Sequence, residues 1–255
     1  MKQLKRILRI LLIVAFWCGI WAIAAWAVGK PMLLPSPMTV LKTLWGLLQT
    51  SDFYLITARS LLNITVGLLI GIALGVLLAI LTSRLAFLRE LILPLMTVVK
   101  ATPVASFIIL ALIWIGSAWV PSFITVLIVL PVIWTNLDVG FGKIDPGLLE
   151  VTRIYRFSFS KQLKLLYLPS LKPYFSSSVR TSLGLAWKAG IAAEIIAMPK
   201  NSIGTMIGEA KLYIETPVMF AWTLTVILLS LVIEFFFNYL WRKFDTQTKR
   251  KEATI

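Results

Sequence analysis

About six stretches of this chain stay apolar for long enough to cross a lipid bilayer, and that leaves very few folds open to it. They cover residues 10–28, 55–81, 91–115, 120–141, 175–196 and 219–241. A helix rising about 1.5 Å per residue needs roughly 20 residues to cross about 30 Å of hydrocarbon. Inside hydrocarbon each backbone N–H and C=O must be satisfied within the protein, so single runs of this length read as helices. The expected fold class is an all-α membrane protein with about six transmembrane helices. Composition agrees: 59% of the 255 residues are hydrophobic and 14% are charged, against roughly 45–50% and 25% in soluble domains.

The formal net charge of +14 could point to nucleic acid, but the basic residues cluster beside the apolar runs. Lys2, Lys5, Arg6 and Arg9 precede the first run, and Arg84 and Arg89 follow the second. Residues 143–172 are rich in Lys and Arg, and Arg242, Lys243, Lys249, Arg250 and Lys251 close the chain. The alternate connections carry only Lys30, Lys42, Lys200 and Lys211, partly balanced by Asp52, Glu209 and Glu215. This asymmetry is the positive-inside pattern, so both termini are expected on the cytoplasmic side and no nucleic-acid partner is expected. The N-terminal run resembles a signal peptide, but it is longer than the roughly 7–15 residues of a signal core and reads as a retained span over 1–29. Cys18 is the one cysteine and there is no histidine, so neither a disulfide framework nor a His-based catalytic or metal site has material.

Three features stand out along the chain. Pro37 opens a short helix whose Leu41, Leu44, Trp45 and Leu48 suit a membrane interface. Gly67, Gly71 and Gly75 form a G-x-x-x-G-x-x-x-G row, which lets two helices approach closely in lipid. The segment 145–169 reads as two short helices joined by a turn at Phe157–Ser160. Asp145-Pro146 starts the first, which would place Leu148, Thr152 and Tyr155 on one face. Leu163, Leu166 and Tyr167 line one side of the second, Lys161 and Lys164 point away, and Pro169 ends it. Physics alone leaves two readings of this segment: a docking element, or an interfacial loop whose lysines meet anionic lipid.

Ionisable residues inside spans cost roughly 2.5–3.5 kcal/mol each and usually face a bundle interior or a wet cavity. Lys100, Lys188 and Glu194 are such residues, and a Lys100–Glu194 pair is geometrically possible. They line a path or gate, or they form structural ion pairs. Pro103, after Thr102, would free backbone carbonyls within the third run. Asn136 and Asp138 are as well placed to bond helix to helix as to touch solute.

Residues 150–169 resemble the cytoplasmic loop E-A-A-x3-G-x9-I-x-L-P of permease subunits in type I binding-protein-dependent ABC importers. Glu150-Val151-Thr152 falls at E-A-A and Leu166-Tyr167-Leu168-Pro169 at I-x-L-P, with the spacing intact. Arg156 stands where the family usually has glycine, which puts the turn geometry in question. The stretches "LPSP", "ARSLLNITVGLLIGIALGVLLA", "VVKATPVASFIILALIWIG" and "LAWKAGIAAEIIA" extend the likeness to nitrate/sulfonate/taurine-type permeases over nearly the whole chain.

The resemblance implies one permease domain over 1–255, with core helices over 55–241, a coupling loop over 143–172 and a cytoplasmic tail over 242–255. It implies a multi-pass protein of a bacterial plasma membrane that forms the solute path as a homodimer. Glu150, Thr152, Arg153, Tyr155, Arg156, Phe157, Leu166, Leu168 and Pro169 would couple to the ATPase. Asn63, Lys100, Thr102, Pro103, Trp187, Lys188 and Glu194 would line the path or its gate. Asn63 stands where anion-importing relatives commonly have arginine, which weakens an anion substrate. Partners implied are a second copy, two ATP-binding subunits and an extracytoplasmic solute-binding protein. The chain itself would be no enzyme, with no catalytic residue, metal or cofactor. It has no G-x-x-x-x-G-K-[ST], and "GFGK" at residues 140–143 lacks the spacing. ATP and magnesium are therefore expected on the partner. The alternative is an ion-coupled carrier or channel that works without an ATPase.

Overall fold

The computed structural model describes the backbone of residues 2–252 and the side chains of residues 8–239 and 241. The side chains of Lys2, Lys5, Arg6, Arg242, Lys243, Lys249, Arg250 and Lys251 are outside that set, and the tail beyond residue 252 is outside the described residues. The described elements are helical throughout. In order they are α1 (Lys2–Val28), α2 (Pro37–Leu48), α3 (Ser51–Arg84), α4 (Ala86–Ala101), α5 (Val104–Ile115), α6 (Val120–Gly142), α7 (Pro146–Ile154) and α8 (Phe159–Gln162). A π-helical turn (Leu163–Tyr167) then leads into α9 (Leu168–Ala197), α10 (Ile203–Leu212) and α11 (Thr216–Glu252).

Among the described residues, α1, α3, α6 and α11 are each long and apolar enough to cross a membrane. The stretch read as one run over 91–115 is two helices, α4 and α5, bent by 104°. Pro103 causes the break: it lacks an N–H and pushes Thr102 into extended backbone, with φ −79° and ψ 133°. The run over 175–196 lies in α9, whose 30 residues reach about 45 Å. Among the described residues α9 is not one of the helices apolar enough to cross by length and composition, and its polar Ser178, Ser182 and Glu194 are buried against other helices.

The core is the contact of α6 with α3 on one side and α9 on the other, the two most extensive helix pairs. The glycine row makes the first possible. A Cβ on Gly71 would lie 2.8 Å from the Val129 Cβ, and one on Gly75 2.8 Å from the Ile133 Cβ. Without those methyl groups the two backbones close to a distance that gains dispersion contact, the main attraction between helices in lipid. At the basic end, Trp134 Nε1 donates to Thr82 Oγ1 at 3.0 Å and fixes the register of α6 on α3. The α2 stripe differs from expectation. Val40 and Leu44 are buried, packing the helix inward, whereas Leu41 and Trp45 face outward.

Candidate functional site

Asp145 caps α7 by accepting from the Gly147 N–H at 2.8 Å, with Pro146 at the first helical position. The helix ends in a Schellman turn: Phe157 N–H donates to Thr152 O at 2.9 Å and Arg156 N–H to Arg153 O at 3.1 Å. The residue after the cap in such a turn takes left-handed backbone, and Arg156 does so with φ 46°. The turn that glycine would make easily is thus made here by arginine. Thr152 is buried, and its hydroxyl donates to Leu149 O at 2.8 Å. Phe157 is half-buried, with the Lys161 ammonium 4.0 Å from its ring centroid.

Of the other residues expected at the coupling surface, Glu150, Arg153, Tyr155 and Arg156 are exposed, while Leu166 is buried. Leu148 and Tyr155 do not share the burial of Thr152 and are exposed. The second short helix begins after Ser158, not Ser160, and Pro169 does not end it. The chain runs through the π turn into α9 without leaving helical backbone, and Pro169, which has no N–H to donate, directly follows the wide-turn bond from Leu168 N–H to Leu163 O. Lys164 does not point away: it lines the same cavity as Leu163 and Tyr167.

The expected path residues separate into two groups. Glu194 is fully buried, accepting on Oε2 from Ser60 Oγ at 2.9 Å and from Gly204 N–H at 3.0 Å. Ser60 Oγ in turn accepts from Ile203 N–H at 2.9 Å. The carboxylate therefore sits on the N-terminus of α10, satisfying donors that a helix start leaves open and complementing its dipole. It joins α3, α9 and α10 and pairs with neither Lys100 nor Lys188. Trp187 is also structural, buried and donating from Nε1 to Val226 O at 3.1 Å.

Lys100 and Lys188 are exposed. Lys100 Nζ donates to Thr135 Oγ1 at 3.1 Å, not to Glu194. Lys188 lies on an outward face of α9 with Ser177, Thr181 and Gly184. Asn63 and Thr102 are half-buried and Pro103 is exposed; Asn63 accepts on its backbone oxygen from Ser122 Oγ at 2.8 Å. Asp138 bonds helix to helix, forming a bidentate pair with Arg89 of α4 at 2.8 and 2.9 Å. Asn136 donates to Val132 O within its own helix. Ser60 and the start of α10 were missed from the sequence. The Ser202-x-x-Thr205 cap was readable there, but nothing in the sequence linked it to a glutamate ten residues before Gly204.

A bent span, a close-packed three-helix core and a capped helical corner at the basic end define an all-helical membrane domain. Residues 71–246 match the family described as binding-protein-dependent transport system inner membrane component, and the chain belongs to that family. It is thus a multi-pass inner-membrane permease subunit of a type I ABC importer. The SsuC protein of Bacillus subtilis (strain 168), assigned to aliphatic sulfonates transport, is 25% identical over 91% of this chain and 85% of its own. The riboflavin transport system permease protein RibX of Chloroflexus aurantiacus is 27% identical over 84% of this chain and 80% of its own. A crystal structure of a bacterial ABC transporter involved in alginate import has the same fold, with a TM-score of 0.64 at 19% identity, covering 95% of this chain and 99% of that one.

Proposed function

We propose that two copies of this chain line one solute path and that residues 145–169 pass the closure of two ATP-binding subunits to it. The observation that carries this is the α7–α8 corner. Ile154, Tyr155 and Phe159 are 69%, 72% and 65% exposed, held outward on a fixed Schellman turn. An exposed apolar group on a rigid corner is the form of a docking surface, and Glu150, Arg153 and Arg156 give it a charged rim. Thr152, Phe157 and Leu166 act from within, fixing the pose. Leu168 and Pro169 carry movement straight into α9, because the helix continues through them. Closure of the ATPase pair would draw the two corners together and switch the path between outward- and inward-facing forms.

In this reading ATP and magnesium reside on the partner, and this chain holds no cofactor or metal and performs no covalent chemistry. Residues 1–255 act as one permease domain: 1–29 anchor it, 55–241 form the core, 143–172 couple, and 242–255 end on the cytoplasmic side with residue 1. A solute-binding protein docks on the opposite face, near residues 31–52 and 200–217. Lys100 and Lys188, with Asn63, Thr102 and Pro103, belong to the path. Trp187 and Glu194 hold the helices that frame it. The sulfonate and riboflavin relatives are about equally similar to this chain, so similarity does not choose the solute; the binding protein does.

The test is solute uptake and ATP hydrolysis by the purified assembly carrying Glu150→Ala. Docking would enclose this rim carboxylate against the ATPase, and losing it should lower uptake at least about tenfold with the chain still folded. If the chain purifies without any ATPase and this variant transports normally, the coupling reading fails.

A further inference from the structure

A cavity of about 840 Å³ lies at the basic end of the helices, enclosed by α3, α6, α7 and the junction of α8 with α9. Its chemistry is one-sided. Arg84 enters from α3, Arg153 from α7, Lys164 from the π turn and Lys172 from α9, while the described residues that line it include no Asp or Glu. The four basic residues come from four different elements, so no single charged helix face accounts for them. Behind them the wall is hydrocarbon, with Ile80 and Phe141 among its residues. The cavity is open to the surface along this wall, so that Ile80 and Leu168 in its lining are partly exposed. Neither Arg84, Arg153 nor Lys164 is in an ion pair among the described residues.

We propose that this cavity binds an anionic phospholipid of the inner leaflet, its phosphate held by Arg84, Arg153 and Lys164 and part of one acyl chain lying along Ile80 and Phe141. The charge of the cavity selects an anion, and its apolar wall selects an amphiphile over a free ion. Arg84 ends α3 and Lys164 lies just before α9, which sets the cavity at the level where lipid phosphates sit. Basic pockets between membrane helices on this side are the form that anionic headgroups fill. The volume falls within the roughly 300–1,000 Å³ of specific small-molecule sites. A lipid here would tie α7 to the ends of α3 and α6, bracing the corner against the core. The inference holds whichever protein docks on α7, so it stands or falls separately from the coupling reading.

The experiment is lipid binding by the full-length chain in detergent, read by native mass spectrometry without nucleotide or ATPase. Phosphatidylglycerol is titrated against phosphatidylethanolamine of the same acyl chains. The wild-type chain should retain phosphatidylglycerol preferentially. Arg84→Gln with Lys164→Gln should weaken that retention about 30-fold, as expected for losing two cations near a lipid phosphate. Ile80→Trp keeps the cations but fills the apolar wall, and it should lower retention too. A monodisperse elution profile identifies folded variants, and Ile80→Trp keeps the test decisive if the double variant does not fold. Equal retention of both lipids by the wild type overturns the proposal. So does unchanged retention in the folded variants, or full competition by equimolar inorganic phosphate.

Discussion

Arg156 holds a left-handed backbone that a residue with a side chain enters at a cost of roughly 1–2 kcal/mol. The Schellman turn forces it there, because the bonds to Thr152 O and Arg153 O close only with that φ. Arg156→Gly should therefore raise the thermal unfolding midpoint of the purified chain, corresponding to about 0.5–1 kcal/mol after glycine's extra chain entropy. Arg156→Val should lower it, since a β-branched residue tolerates positive φ worst; a stabilising valine would contradict the turn. The motif spacing located this turn, but φ at Arg156 could not be read from a residue type that argues against it. Glu194 shows the opposite case. Its position inside an apolar run was visible, but its role depends on Ser60, 134 residues away, and local periodicity carries no signal of that contact.

At the scale of elements, the glycine row was legible because its period of four is a property of one helix, while its partner was not. The structure supplies α6, and with it a differential prediction. Gly71→Ala puts a methyl 2.8 Å from the Val129 Cβ, and both helix backbones are too well packed for either to retreat freely. It should destabilise by about 1–3 kcal/mol, the usual range for overpacking. Gly19→Ala in α1 meets nothing within 4 Å and should be neutral or stabilising by up to about 1 kcal/mol. Thermal melts of both variants in one detergent check this, and equal losses would mean that close approach is not what the row provides. The bend between α4 and α5 was half-legible. Proline announces a disruption, but whether a helix merely opens or turns by 104° depends on what receives its second half, here α9 and α6.

For the whole molecule, the polar side of α9 decides where the path runs. Ser177, Thr181, Gly184 and Lys188 recur at helical spacing and are all exposed, and among the described residues Lys188 has no ion pair. Turned to lipid, that ammonium would cost roughly 2.5–3.5 kcal/mol. In the proposed homodimer the same face borders water between the copies, and the cost disappears. Thiol accessibility separates these cases cleanly, because Cys18 is the chain's one cysteine and Cys18→Ser gives a silent background. In that background, Lys188→Cys in the assembled transporter should react with a charged, water-soluble maleimide. Leu231→Cys, on the exposed side of α11, should react only with a lipid-soluble one. Bound ATP analogue should change the first rate by at least about tenfold as access alternates, an equilibrium shift of about 1.4 kcal/mol, and leave the second unchanged. If Lys188→Cys behaves like Leu231→Cys with both reagents, α9 turns this face to lipid and the path must run elsewhere.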